Sequence, residues 1–251
     1  MTSNVVRLLN PLTRQVTELP QITASLASKF RGNSPDNAGL ADDRTVLLYF
    51  SGIGTLAFAK PGDEHWVLVK LGELLMPTMS FAGRFYGVTT GAVMVVDTRE
   101  SQPPRLVVAA KLDKPFSRMV DTVHLVDNGG ELMLMHRMIR PIPDAENCSK
   151  RSYKVYRVDL DAGKTTPANG LSGRAVFIGY NRSFSVSPQV FPYIRADTVY
   201  PGLNLGERSG HEQIGAYHLA DGSIEPSNYD IRGSLAHPFN AAEFLAGCVR
   251  G

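Results

Sequence analysis

Tyr153-Lys154-Val155-Tyr156-Arg157-Val158-Asp159-Leu160-Asp161-Ala162-Gly163 decides the fold. The run from Tyr153 to Val158 is β-rich and about as long as a typical strand. It stops in turn chemistry at Asp161-Ala162-Gly163, because glycine tolerates the positive φ that tight hairpins need. Runs of the same kind recur along the chain. They include Val46-Leu47-Leu48-Tyr49-Phe50, Trp66-Val67-Leu68-Val69, Ala92-Val93-Met94-Val95-Val96, Glu131-Leu132-Met133-Leu134-Met135 and Ala175-Val176-Phe177-Ile178. Thr90-Gly91, Asn128-Gly129-Gly130 and Asp221-Gly222 punctuate them. Helical periodicity is scarce: Ile22 to Phe30 and Ala241 to Ala246 have room for short helices and no more. The pattern predicts an all-β chain.

A weak internal repeat orders these strands. In each copy an apolar strand ends in a polar or turn residue, passes a short loop and resumes. Leu8 to Gln15 leads into Val16 to Leu19, Ala57 to Glu64 into the Trp66 strand, and Val95 to Glu100 into Leu106 to Ala109. Tyr156 to Gly163 and Tyr217 to Gly222 complete the set. Aligned on Asn10, Phe58, Asp97, Asp159 and Leu219, the copies recur at roughly 40 to 60 residues, which brackets a four-stranded propeller blade with insertions. A β-sandwich also explains many short strands, but not a recurring unit of this length. The expected fold is therefore a β-propeller of four-stranded blades.

Composition narrows the function classes. The chain has 251 residues, 43% hydrophobic and 20% charged, with a net charge of +2. That is enough for a sizeable core. It lacks the concentrated Lys/Arg stripe that phosphate neutralisation requires, so nucleic acid is not an expected partner. Cys148 and Cys248 lie far apart and form no CxxC pair, which points to a reducing compartment. The sequons at Asn147 and Asn181 matter only in a secreted protein. No apolar run approaches a signal core or a membrane span, so the expected location is cytoplasmic or nuclear, without a membrane partner.

Six segments, in order, resemble the plant F-box-associated domain of unknown function, the KIB-type β-propeller. Leu8-Leu9-Asn10-Pro11-Leu12-Thr13 with Leu19-Pro20 is similar to the family's opening element, and Asp63 to Val67 to its Trp-bearing strand. Phe81 to Val88 resembles its glycine hairpin, and Gly130 to Leu134 the strand after it. Gly173 to Phe191 (GRAVFIGYNRSFSVSPQVF) is the most specific match, and Thr198 to Tyr200 with Ile214 to Ile224 resembles the closing elements. The likeness covers roughly Val5 to Pro226. It implies a single propeller domain over residues 1–251 that selects a protein for ubiquitination through its loops. In the family an F-box usually precedes the propeller and docks the ligase scaffold. This chain begins almost at the opening element, so by this resemblance the propeller is expected to be incomplete at its N-terminal side, and no F-box and no ligase-adaptor binding are expected from it alone.

The residues that carry chemistry elsewhere read plainly here. Gly52-Ile53-Gly54-Thr55-Leu56-Ala57 follows a strand, but Phe58 to Glu64 contains a Pro-Gly break where a dinucleotide site needs a helix, so a hairpin turn is expected. His65, His124, His136, His211, His218 and His237 show no metal-ligand spacing, and there is no G-x-S-x-G elbow. No catalytic residue, cofactor or metal is expected. Trp66 reads as inter-blade packing rather than an interface anchor, and Phe177, Phe184 and Phe191 as blade core.

The remaining candidate is the insertion from Arg140 to Ser152, which reads as a solvated surface loop. Its Arg140, Lys150 and Arg151 face only Asp144 and Glu146, and loops on a stiff scaffold are where recognition resides. The function expected is non-catalytic protein binding, with Arg140, Lys150 and Arg151 as partner-binding residues. The alternatives are a propeller enzyme or sugar-binding lectin with a central-channel site, or a truncated product without retained function.

Overall fold

The computed structural model describes residues 5–10, 12–22, 35–99, 104–117, 121–142, 149–179, 182–191, 194–201 and 216–225. Among them strands dominate and no α-helix occurs. None of their helices is long and apolar enough to cross a membrane. Residues 23–30 and 241–246, read as possible helices, lie outside the described residues, as do Cys148, Cys248, His211 and His237. The chain divides into two compact units, Met1–Thr89 with Met94–Val108, and Thr90–Val93 with Ala109–Gly251.

The first unit opens with a hairpin, β1 (Val5–Leu9) and β2 (Val16–Gln21), whose turn Asn10 holds by accepting the Leu12 and Thr13 N–H groups. An antiparallel four-stranded meander follows: β3 (Asn37–Leu40), β4 (Val46–Phe50), β5 (Thr55–Ala59) and β6 (Val67–Lys70). All five residues of β4 are buried. Val46, Leu48 and Phe50 join Leu19, Ala57 and Trp66 on one side, while Leu47 and Tyr49 join Leu56, Phe58 and Phe85 on the other. A strand covered on both faces reads as a continuous apolar run, and that is what β4 is. The Trp66 indole is buried between the first hairpin and this sheet, its Nε1–H donating to Pro20 O at 2.8 Å. Inter-sheet packing is thus its role. The Gly52 to Ala57 segment is the β4–β5 connection, a 3-10 turn closed by Gly54 at φ 57°.

β7 (Thr78–Phe81), β8 (Arg84–Val88), β9 (Ala92–Asp97) and β10 (Arg105–Lys111) are neighbours in that order. β3 comes so close to β7 and β8 that a Cβ on Gly39 would sit 2.3 Å from Ser80 Oγ and 2.7 Å from the Phe85 ring. Glycine is required there by space.

In the second unit β11 (Asp121–Asp127), β12 (Leu132–Pro141), β13 (Ser149–Asp159) and β14 (Lys164–Ala168) form an antiparallel meander. The end of β10 meets β14 through one parallel pair, Lys111↔Lys164. Gly163, at φ 65°, closes the β13–β14 turn, and Asp159 Oδ1 accepts the Ala162 N–H inside it. The last sheet departs from a meander. Its strands β15 (Ala175–Ile178), β16 (Ser183–Val186), β17 (Thr198–Pro201) and β18 (Tyr217–His218) lie in the order β16-β15-β17-β18, and β15 runs parallel to β17. Parallel neighbours need a crossover rather than a tight turn, and the excursion through β16 supplies it.

The repeat seen in the sequence now has a structural meaning. Phe58, Asp97 and Asp159 fall in β5, β9 and β13, the third strand of three successive groups of four. In these three copies the recurring unit is the turn from third strand to fourth, whereas the Asn10 copy is the β1–β2 turn and the Leu219 copy follows the last strand. The insertion is also located. β12 and β13 are 10 and 11 residues long, against 5 and 5 for β4 and β5 and 5 and 6 for β8 and β9. Much of the expected surface loop is therefore extra length of one hairpin, with residues 143–148 outside the described residues.

Candidate interaction surface

The lengthened hairpin has two unlike faces, because successive side chains of a strand point to opposite sides. Leu134↔Tyr156, His136↔Lys154, Met138↔Ser152 and Arg140↔Lys150 are directly opposed pairs on one face. Met135↔Val155, Arg137↔Tyr153 and Ile139↔Arg151 occupy the other. The second face is core: Met135, Tyr153 and Val155 pack with Val126, Leu171, Val176 and Ile178. The first face opens to solvent toward the hairpin tip, where Arg140, Lys150 and Lys154 are exposed. Among the described residues pairing with β11 ends at Asp121↔Met138 and pairing with β14 at Val155↔Ala168, so the outer rungs of the β12–β13 ladder extend past both.

The three cations expected to bind a partner are thereby separated. Arg140 and Lys150 are cross-strand neighbours on the open face. Arg151 faces the other way and is 2% exposed. Its neighbour in sequence thus presents charge to solvent while Arg151 itself belongs to the buried side. The acids Asp144 and Glu146, weighed against these cations, lie outside the described residues.

Asp121 anchors Arg140 from below. Its side chain, 6% exposed, lies 2.6 Å from Arg140 Nη1 and 3.2 Å from His136 Nε2. Burial pushes the Asp121 carboxyl up, but the close Arg140 and His136 side chains outweigh it and hold the group below its ordinary range. The guanidinium stays 49% exposed. Phe116 packs against His136 at a ring separation of 5.9 Å. A cavity with room for about one water lies at this foot of the hairpin, lined among others by Asp113, Lys114, Phe116, His136 and Tyr156. What the arrangement supplies is oriented positive charge on a rigid ladder.

Asp121 and Lys154 escaped the sequence reading, which weighed His136 only as a metal ligand. Lys154 was legible: counted by twos from Lys150 it shares that face, once the segment is read as strand. Asp121 left no signal, since only strand register brings it to Arg140. Elsewhere, Phe177 is core, while Phe184 stacks on it at 5.6 Å with 39% of its surface exposed. His218 Nδ1 lies 3.0 Å from Thr198 Oγ1, and His65 is exposed. Among the described residues no three His, Cys, Asp or Glu side chains form a group that would hold a metal.

Two comparisons with known proteins bear on this geometry. A family model described as the KIB1-4 β-propeller matches residues 1–218. The chain is also similar to an F-box/kelch-repeat protein of Arabidopsis thaliana, 26% identical over 176 residues, which is 67% of this chain and 43% of that protein. The match thus spans less than half of the relative's length.

Proposed function

This chain belongs to the KIB1-4 β-propeller family, and on that premise we propose that it is a non-catalytic protein-interaction domain. On this reading residues 1–251 make one propeller domain, and its partners are proteins of a ubiquitin pathway, as for the recognition propellers of plant F-box proteins. The likeness to the F-box/kelch-repeat protein supports the class of partner. The observation that carries the contact surface is the pair Arg140 and Lys150, directly opposed at the exposed end of the lengthened hairpin. Arg151 supports that surface from its buried face. Rigid display of charge steers an acidic partner, and arginine adds bidentate contacts to carboxylates.

The test is affinity capture from an Arabidopsis extract at low and high salt, with wild type and the Arg140→Glu/Lys150→Glu double variant. We expect a set of acidic proteins held by the wild type at low salt, and lost both on charge reversal and as salt screens the surface. An identical protein set on both baits would overturn the contact surface.

A further inference from the structure

The open face of the hairpin carries its positive charge in two steps. At the tip Arg140 stands opposite Lys150, and further in His136 stands opposite Lys154, with Met138 and Ser152 half-buried between them. Asp121, the acid beneath, is already engaged by Arg140 and His136. Asp113 lies further down, beside Lys114 at the foot. Lys150 and Lys154 are both exposed and have no ion-pair partner among the described residues. Four residues apart on one strand, they are separated by about 13 Å.

A ligand that satisfies both lysines must present two carboxylates on one side at that distance. An extended segment does so with acidic residues at i and i+4, since it has the same rise and the same two-residue alternation. A helix places i and i+4 only about 6 Å apart. It needs about eight residues to span the distance, and in doing so turns roughly 80° away from the face. We infer that this face takes an extended acidic segment of a partner protein, with carboxylates four residues apart that meet Lys150 and Lys154. The inference rests on reading the hairpin as the contact surface and adds the partner's conformation and spacing.

The experiment is a chemical-shift titration of the ¹⁵N-labelled chain with nine-residue Ser/Thr peptides carrying two glutamates. In one peptide they are four apart; in a charge-matched control they are three apart and fall on opposite sides of an extended strand. We expect shifts confined to the β12–β13 hairpin and about fivefold tighter binding of the first peptide, as two exposed ion pairs allow. Lys150→Gln/Lys154→Gln should abolish the difference while the chain stays folded. Equal binding of the two peptides would overturn the spacing and leave the contact surface standing. No hairpin shifts with either peptide, together with unchanged capture by the charge-reversed bait, would remove the surface as well. Stronger binding of a single-stranded oligonucleotide at matched charge would overturn the acidic-peptide class.

Discussion

Burial holds the His124 imidazole far below its usual titration range, at about 3, and the neighbouring Arg137 charge pushes in the same direction. In the unfolded chain the ring protonates near the ordinary imidazole value of 6.5. Between these values the unfolded state binds the extra proton, so the stabilisation is complete above 6.5 and is lost as pH falls toward 3. The slope approaches about 1.4 kcal/mol per pH unit. The carboxyls Asp42, Asp97 and Asp121, all held below the ordinary value, act at lower pH. Over the upper part of the window the urea midpoint of the wild type should therefore drop, while that of His124→Leu stays nearly flat. Parallel profiles would show that another group sets the slope. Trp66 makes a pH-independent case. It is 7% exposed and hydrogen-bonded to Pro20, so Trp66→Ala should cost about 3–5 kcal/mol in denaturant titration. An unchanged midpoint would mean that the indole is not packed between the sheets.

At the level of the element, the β12–β13 ladder makes neighbours in sequence opposites in environment. Arg151→Glu buries a carboxylate in place of the native guanidinium and should destabilise by about 3–5 kcal/mol. Lys150→Glu, one residue earlier and exposed, should stay within about 0.5 kcal/mol. Equal losses in thermal melts would mean that the register is not the one seen. The segment reads as loop in the sequence because the Asp97-to-Asp159 interval is longer than the Phe58-to-Asp97 interval, as a surface insertion would make it. Pro141 is the last residue of β12, opposite Ser149. The β4–β5 hairpin, by contrast, was legible residue by residue. Its apolar run and its Gly54 turn are local features that needed no partner to be recognised.

For the whole molecule, the proposal of one propeller domain makes a calorimetric prediction. The chain should unfold in a single cooperative transition, with calorimetric and van't Hoff enthalpies in agreement. Two resolved transitions would instead make the two compact units independent domains. The amino-acid sequence by itself determined the all-β class, the main apolar strand runs and several of their turns, the repeat and the family resemblance. These follow from local backbone preference and from the length and spacing of apolar runs, which each segment carries within itself. Only the tertiary structure decided that β15 and β17 are parallel, that Arg151 turns inward, and that Asp121 holds Arg140. Those depend on which strands become neighbours and in what register. A shift of one residue would exchange the two faces of the hairpin.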